Sequence, residues 1–356
     1  MYFDILMPTI LFLVTLAAIF LSRKAEPKMK TTLEKREFKT RDSLLLVAMI
    51  VVAVSVVVFL PDYTIMAVFL FSYCSLLFMV TYVFSDMKPK RTALYCGLFI
   101  VASVIAGAAG LLGVLPAGLR VYGTLAFAAL AVCGFFALLY AWQNPGAKEK
   151  WYVAALSPVL FLLLFFFFSG TPIWFPYLLD VYGILFALLI VLYLSTLFTW
   201  KTVFIFAAFL TAMDIVLVWL TGTMVQAAEA VSGLGLPVLV AFPTIPFIQI
   251  GQGILIMRLG LGDFFFAGIL GTQTLKKFGR KTAVLSVLTM CISFAIFELI
   301  LLNPELAEAL PSRALPATLP IILGWLPVVG AKMLIEKRKK NAVTPSAPEA
   351  EKQPDR

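Results

Sequence analysis

The chain has 356 residues and not one histidine. That absence excludes zinc or iron sites built on imidazole, serine–histidine triads and cysteine–histidine pairs, so acid–base chemistry falls to carboxylates. Cysteine is scarce as well: Cys74, Cys96, Cys133 and Cys291 all lie inside apolar runs, and their spacing suggests neither a disulfide framework nor a metal knuckle. They read as packing residues. Charge is thin, with 13% charged against 62% hydrophobic residues and a mean hydropathy of +1.01. Stretches of about 20 apolar residues, the length that crosses a hydrocarbon core, recur along the chain. The expected fold class is therefore an all-α polytopic membrane protein.

The first apolar run has no basic segment before it and ends at Ser22-Arg23-Lys24 rather than at a small-residue cleavage site, so it reads as a retained helix. Predicted spans cover 2–22, 43–61, 63–85, 92–116, 119–142, 151–170, 173–199, 202–226, 256–274, 282–303 and 314–335, eleven in all. Alternate loops test that count, because short cytoplasmic loops concentrate Lys and Arg. The set 23–42, 86–91, 143–150, 200–201, 273–281 and 332–340 holds 23 of the 28 basic residues, and the tail adds Lys352 and Arg356. Only Arg120, Arg258 and Arg313 fall on the other side. The expected orientation in the cell membrane has the N-terminus outside and the C-terminus inside. Topology accounts for the net charge of +9, so nucleic acid is not needed as a partner. Residues 341–356 read as a disordered tail.

One segment resists this scheme. Residues 231–251 are apolar enough to span, but Pro237, Pro243 and Pro246 remove backbone donors and break a helix. Short extended pieces, Pro237 to Phe242 and Thr244 to Ile250, are expected at the outer face; a long kinked helix running into the next span is the alternative.

Two acids lie within apolar helices, Asp214 in Met213-Asp214-Ile215 and Asp263 in Gly260-Leu261-Gly262-Asp263. An intramembrane acid is costly and marks function by default. At a rise of 1.5 Å per residue, Asp214 should sit roughly 18 Å above the inner face of a core about 30 Å thick. Asp263, 5 to 7 residues into a descending helix, should lie about 8–10 Å below the outer face, close enough in depth to form a dyad. Asp4, Asp180 and Glu298 fall near predicted span ends and read as solvated interfacial acids, and Arg258 as a side chain reaching the outer interface. The phenylalanine run 164–168 reads as packing or lipid-facing surface.

These motifs together resemble the intramembrane aspartyl proteases of the presenilin and signal peptide peptidase family, most of all its archaeal members. In that family one catalytic Asp sits on the sixth of nine helices, the second lies in Gly-x-Gly-Asp on the seventh, and Pro-Ala-Leu opens the ninth. Gly260 to Asp263 matches the second motif in full. The link Met224-Val225-Gln226-Ala227-Ala228-Glu229 followed by Leu236-Pro237-Val238-Leu239 is similar to the archaeal connection, and Leu315-Pro316-Ala317-Thr318-Leu319-Pro320 stands where Pro-Ala-Leu belongs. Met213 replaces the usual tyrosine, and Thr318 the leucine.

The resemblance implies the division 1–62 as two extra N-terminal helices, 63–200 as core helices one to five, 201–340 as catalytic helices six to nine, and 341–356 as tail. It implies Asp214 and Asp263 as catalytic residues, Gly260, Gly262, Pro316, Ala317, Thr318 and Leu319 as the wall of the site, and no metal or cofactor. Substrates would be transmembrane peptides or membrane proteins within the lipid bilayer, of type II orientation.

Two carboxyls in a low-dielectric site do not both ionise readily, so one would hold a proton while the other activates water. The missing Cβ of Gly260 and Gly262 would let backbone approach the acid closely. An extended substrate would be held by Pro237 to Phe242 or by Pro316-Ala317. Pro320 lacks the amide hydrogen that would otherwise bond the Pro316 carbonyl, leaving that carbonyl free, although Pro316 also suits a plain helix start. Asp214 taken alone could be a structural acid bonded to a neighbouring Thr. Two other functions use the same acids: a prepilin-peptidase-like protease, and a transporter or channel with an Asp proton or cation relay.

Overall fold

A computed structural model of the protein describes residues 2–32, 38–144, 150–250, 253–307 and 316–343. In lipid every backbone amide and carbonyl needs an internal partner, and helices supply it within one segment. Twelve principal helices result: α1 (Leu6–Thr32), α2 (Thr40–Val57), α3 (Asp62–Val83), α4 (Pro89–Ala109), α5 (Ala117–Gln143), α6 (Leu156–Phe168), α7 (Leu179–Leu194), α8 (Trp200–Ile215), α9 (Thr223–Ser232), α10 (Leu261–Phe278), α11 (Arg280–Leu302) and α12 (Thr318–Val343). Among the described residues, ten helical segments are long and apolar enough to cross a membrane. The fold is all-α and polytopic, and the protein is an integral membrane protein. These ten segments match ten of the eleven predicted spans; the remaining one, 256–274, contains α10, which is not among the ten.

Contacts define the two ends of the bundle. At one end Lys276 pairs with Glu26 at 2.9 Å, Lys28 with Asp86 at 3.9 Å, and Lys150 Nζ donates to the Met87 carbonyl at 2.8 Å. The basic loops after α1, α3, α5 and α10 therefore share one end. At the other end Asn303 Oδ1 accepts from the Tyr2 amide at 2.8 Å, and Trp174 Nε1 donates to the Gly235 carbonyl at 2.8 Å.

Helices α1 and α2, set apart by the sequence as an addition, are built into the body. Helix α1 lies against α7, α10 and α11, and α2 against α8 and α9. The pair that stands to one side is α4 and α5, packed on each other and on α6. Helix α10 is the axis of the molecule, touching α1, α7, α8, α11 and α12. Small residues allow the closest approaches, as is common between membrane helices. A Cβ on Gly268 of α10 would collide with Val191 of α7, and one on Gly324 of α12 with the backbone of Thr289 and Met290 on α11.

The proline-rich segment is extended, as expected, but the chain after it differs. Strand β1 (Leu239–Pro243) pairs antiparallel with β4 (Ile256–Gly260), and β2 (Gln249–Ile250) with β3 (Gly253–Ile254). The span predicted from 256 is thus strand up to Gly260 and helix only from Leu261, whose amide donates to Val238 at 3.0 Å. Backbone pairing with β1 overrides the helical reading of an apolar run whose periodicity is ambiguous.

The span predicted to end at 226 stops sooner. After Ile215 the chain takes one π-helical turn, Val216–Leu220, and Gly222, at φ +68°, redirects it into the separate helix α9. An L side chain there would be strained. At the C-terminus, α12 continues through Val343, past the predicted tail boundary at 341; Arg313, Leu315 and residues 344–356 lie outside the described residues.

Candidate active site

Asp214 lies one residue before the end of α8, against the π-helical turn, and Asp263 is the third residue of α10. Asp263 therefore occupies the first helical turn rather than a position 5 to 7 residues in, and the positive end of the helix dipole points toward its carboxylate. Both acids are half-buried and line one cavity of about 300 Å³. Met7 of α1, Val218 beside Asp214, Met224 and Ala228 of α9, Met257 to Gly260 of β4, Phe294, Glu298 and Leu301 of α11, and Ala317 complete most of its wall. A dyad expected from depth alone is thus brought to one chamber by α8, α10 and the β1–β4 hairpin.

The Pro316-Ala317-Thr318 segment reaches the same place. Thr318 Oγ1 donates to Asp214 Oδ2 at 2.6 Å, with the Thr318 amide at 3.4 Å from the same oxygen. The departure from leucine at 318 thus supplies a hydroxyl donor to the first acid. Thr211, one turn before Asp214, does not play this part: its buried hydroxyl has no partner among the described residues. Pro316, Ala317 and Thr318 are buried and Leu319 half-buried. The Pro316 carbonyl is not free, because the Leu319 amide bonds it at 3.0 Å. Loss of the Pro320 amide tightens the turn instead of opening an acceptor.

The two glycines differ. A Cβ on Gly260 would stand 3.2 Å from Asp263 Oδ2, so the close approach is real. A Cβ on Gly262 would meet nothing within 4 Å. Gly262 faces an apolar groove between α2, α3, α9 and β1, whose wall includes Val54, Val57, Phe69, Val231, Leu239 and Gly260. Groove and cavity share Met224, Ala228, Leu239 and Gly260 as lining residues, so they adjoin.

Strand β1 does not offer an open edge. One side pairs with β4, and on the other the Ala241 amide donates to Asp180 Oδ1 at 2.8 Å. Strand β4 has no second strand beside it among the described residues, and four of its residues, Met257 to Gly260, line the cavity. Of the two strands, the edge without a neighbouring strand among the described residues is therefore that of β4.

The three acids read as interfacial are all buried. Asp180 anchors β1, and Asp4 accepts from the Leu6, Met7 and Ile245 amides at 3.1, 3.0 and 2.7 Å, capping α1 and fixing the hairpin loop. Glu298 is 1% exposed, lines the cavity, and neither carboxylate oxygen has a hydrogen-bond partner among the described residues. Its sequence signal was the spacing Phe294, Glu298, Leu301, which puts one helical face on the cavity. Arg258 is exposed on β4 and lines the cavity too. Among the described residues, no three acidic or cysteine side chains come together in a way that could hold a metal ion.

Comparison with protein-family models, curated proteins and solved structures finds no match to this chain.

Proposed function

We propose that the chain is an intramembrane aspartyl protease that hydrolyses peptide bonds within membrane-spanning segments, with Asp214 and Asp263 as its catalytic pair. The observation that carries this reading is the convergence of both acids on one cavity whose wall also holds Gly260 and Ala317, with Thr318 donating to Asp214.

In the mechanism one carboxyl is protonated and its partner ionised, and the two titrate as a unit. The ionised carboxylate takes a proton from a water, whose oxygen attacks the scissile carbonyl. The protonated carboxyl gives its proton to the carbonyl oxygen, producing a gem-diol. The first carboxyl returns its proton to the amide nitrogen while the second, now ionised, takes one from a gem-diol hydroxyl, and the carbon–nitrogen bond breaks to leave an amine and a carboxylic acid. A helical substrate must first be unwound, since its hydrogen bonds shield the scissile carbonyl, and its exposed backbone needs new partners in lipid. The free edge of β4 can supply them by strand addition, and the groove at Gly262 is an apolar path from the lipid to the acids.

We assign the N-terminus to the outside, the C-terminus to the inside of the cell membrane, and a type II orientation to the substrate, on the strength of the basic loops gathered at one end. Cysteine labelling in 23–29 and 276–281 should then report the inside, and reversed accessibility removes the orientation. For the chemistry, single-span peptides are incubated with the detergent-solubilised protein. Cleavage should disappear in Asp214→Asn and in Asp263→Asn while the melting temperature holds or rises, since removing an acid from an apolar site relieves desolvation. Full activity in either variant excludes a shared dyad.

A further inference from the structure

We propose that Glu298 forms a subsite for a cationic side chain, lysine or arginine, carried by the substrate close to the bond that is cleaved. The proposal rests on the protease reading for what the cavity does, and on separate observations for what Glu298 binds. Glu298 sits on α11 between Phe294 and Leu301, on the face that α11 turns to the cavity of Asp214 and Asp263. It is 1% exposed, and both its carboxylate oxygens are without a hydrogen-bond partner among the described residues.

A buried carboxyl left unmet is unfavourable, and a structural role would give it a donor. The other acids show the difference: Asp4 and Asp180 accept backbone amides, and Asp214 accepts from Thr318. Arg258, the cation on the cavity wall, leaves Glu298 unmet. Asp4, on the adjoining α1 cap, adds negative potential at Glu298. The surrounding walls of Met7, Phe294 and Leu301 suit the methylene stem of a lysine or arginine, whose head would reach the carboxylate. A metal is the poorer occupant, because Glu298 does not gather with two other acids around one point.

The test uses the full chain reconstituted in lipid. Single-span peptides carry lysine, or norleucine in its place, at each position flanking the cleaved bond in turn. At one register the lysine peptide should be cleaved with a kcat/KM about tenfold above its norleucine twin, as expected of one charge-assisted pair. Glu298→Gln should bring that ratio close to one, and Glu298→Lys should turn it in favour of a glutamate peptide. The ratio is taken on a single preparation, so loss of folded protein cancels. Binding of the same peptides to Asp263→Asn is measured alongside, with and without Glu298→Gln.

Equal cleavage of both peptides at every register, or a lysine preference that survives Glu298→Gln, overturns the subsite and leaves the protease standing. If neither peptide is cleaved, yet Asp263→Asn still binds the lysine peptide more tightly through Glu298, the protease reading falls and the cation site stands. No cleavage together with no Glu298-dependent binding overturns both.

Discussion

Helices α5 and α10 are opposite solutions to living in a bilayer. Helix α5 is long and apolar enough to span on composition alone, yet it exposes Val121, Leu125, Val132 and Phe136 on its outer side. Helix α10 is absent from the segments that pass that criterion, yet every residue from Phe264 to Leu275 is buried. Its hidden polar side chains, Thr272, Gln273 and Thr274, each donate a hydrogen bond. Gln273 Nε2 donates to the Ser195 and Phe198 carbonyls at 3.0 and 2.9 Å, and Trp325 Nε1 donates to Thr274 Oγ1 at 2.8 Å. In a membrane, then, hydropathy measures contact with lipid more than depth in the protein. Small and polar residues mark the interior, where close approach and hydrogen bonds replace the missing hydrophobic drive.

The comparison is broken most severely at the head of α10. Asp263→Asn should lower cleavage by at least about a thousandfold, the scale expected when one member of a catalytic unit is removed. The same loss should follow Asp214→Asn, whereas Thr124→Val on α5, whose hydroxyl bonds the Arg120 carbonyl of its own helix at 2.8 Å and the Gly107 carbonyl of α4 at 3.4 Å, both away from the cavity of the two acids, should leave cleavage unchanged. Turnover that falls as far for α5 as for α10 would mean that the peripheral pair belongs to the site.

This contrast also explains what the sequence disclosed. The eleven helices were legible because long apolar runs and the distribution of 28 basic residues are independent signals that agree. Asp214 and Asp263 line one cavity, in keeping with the similar depths expected from helix direction, although the count along the helix misplaced Asp263, which lies in the first turn of α10. Strand β4 was not, since Ile256-Met257-Arg258-Leu259 suits helix or strand equally, and only its partner 239–243 decides. Nor were the roles of Asp4, Asp180 and Glu298: counting along a helix gives the height of an acid, but not whether another segment covers it. The place of α1 and α2 in the body likewise depends on lateral packing, which no loop count records.

A smaller effect is expected at Thr318. Thr318→Val keeps the shape and removes the hydroxyl that Asp214 accepts at 2.6 Å. With one donor gone from one acid of a coupled pair, kcat should fall about tenfold, the worth of a hydrogen bond to a charged group. The pH–rate profile should also move, because the proton shared by the dyad has lost one of its competitors; Thr318→Ser should restore both. A Thr318→Val enzyme with the original profile would reduce Thr318 to a packing residue.

Next in size is the interior of α10 itself. Gln273→Leu preserves bulk but leaves the Phe198 carbonyl, in the turn into α8, without its side-chain donor, and the Ser195 carbonyl, at the end of α7, with Lys276 Nζ alone at 2.9 Å. Stability should drop by about 1 kcal/mol, since hydrogen bonds between membrane helices are individually modest. Equilibrium unfolding in mixed micelles would measure it. An unchanged midpoint would indicate that water or lipid head groups reach those carbonyls and that this part of α10 is less secluded than its burial suggests.

The smallest effect belongs to the outer face of α5, where the comparison can be sharpened within a single helix. Leu125 is 63% exposed, while Phe127, two residues on, is fully buried and its ring packs against Phe167 and Phe168 of α6. Leu125→Ala leaves no internal cavity, and lipid chains can occupy the space it vacates, so stability should change by less than about 0.5 kcal/mol. Phe127→Ala removes the ring that joins α5 to α6 and should lower stability by about 3 kcal/mol, the range of large-to-small changes in a packed interior. Measured together by unfolding in the same micelles, the two variants separate a lipid-facing surface from a packed one. Should Leu125→Ala cost as much as Phe127→Ala, that flank of α5 would have to be covered by protein, and the helix pair α4–α5 would then be an interface rather than a margin.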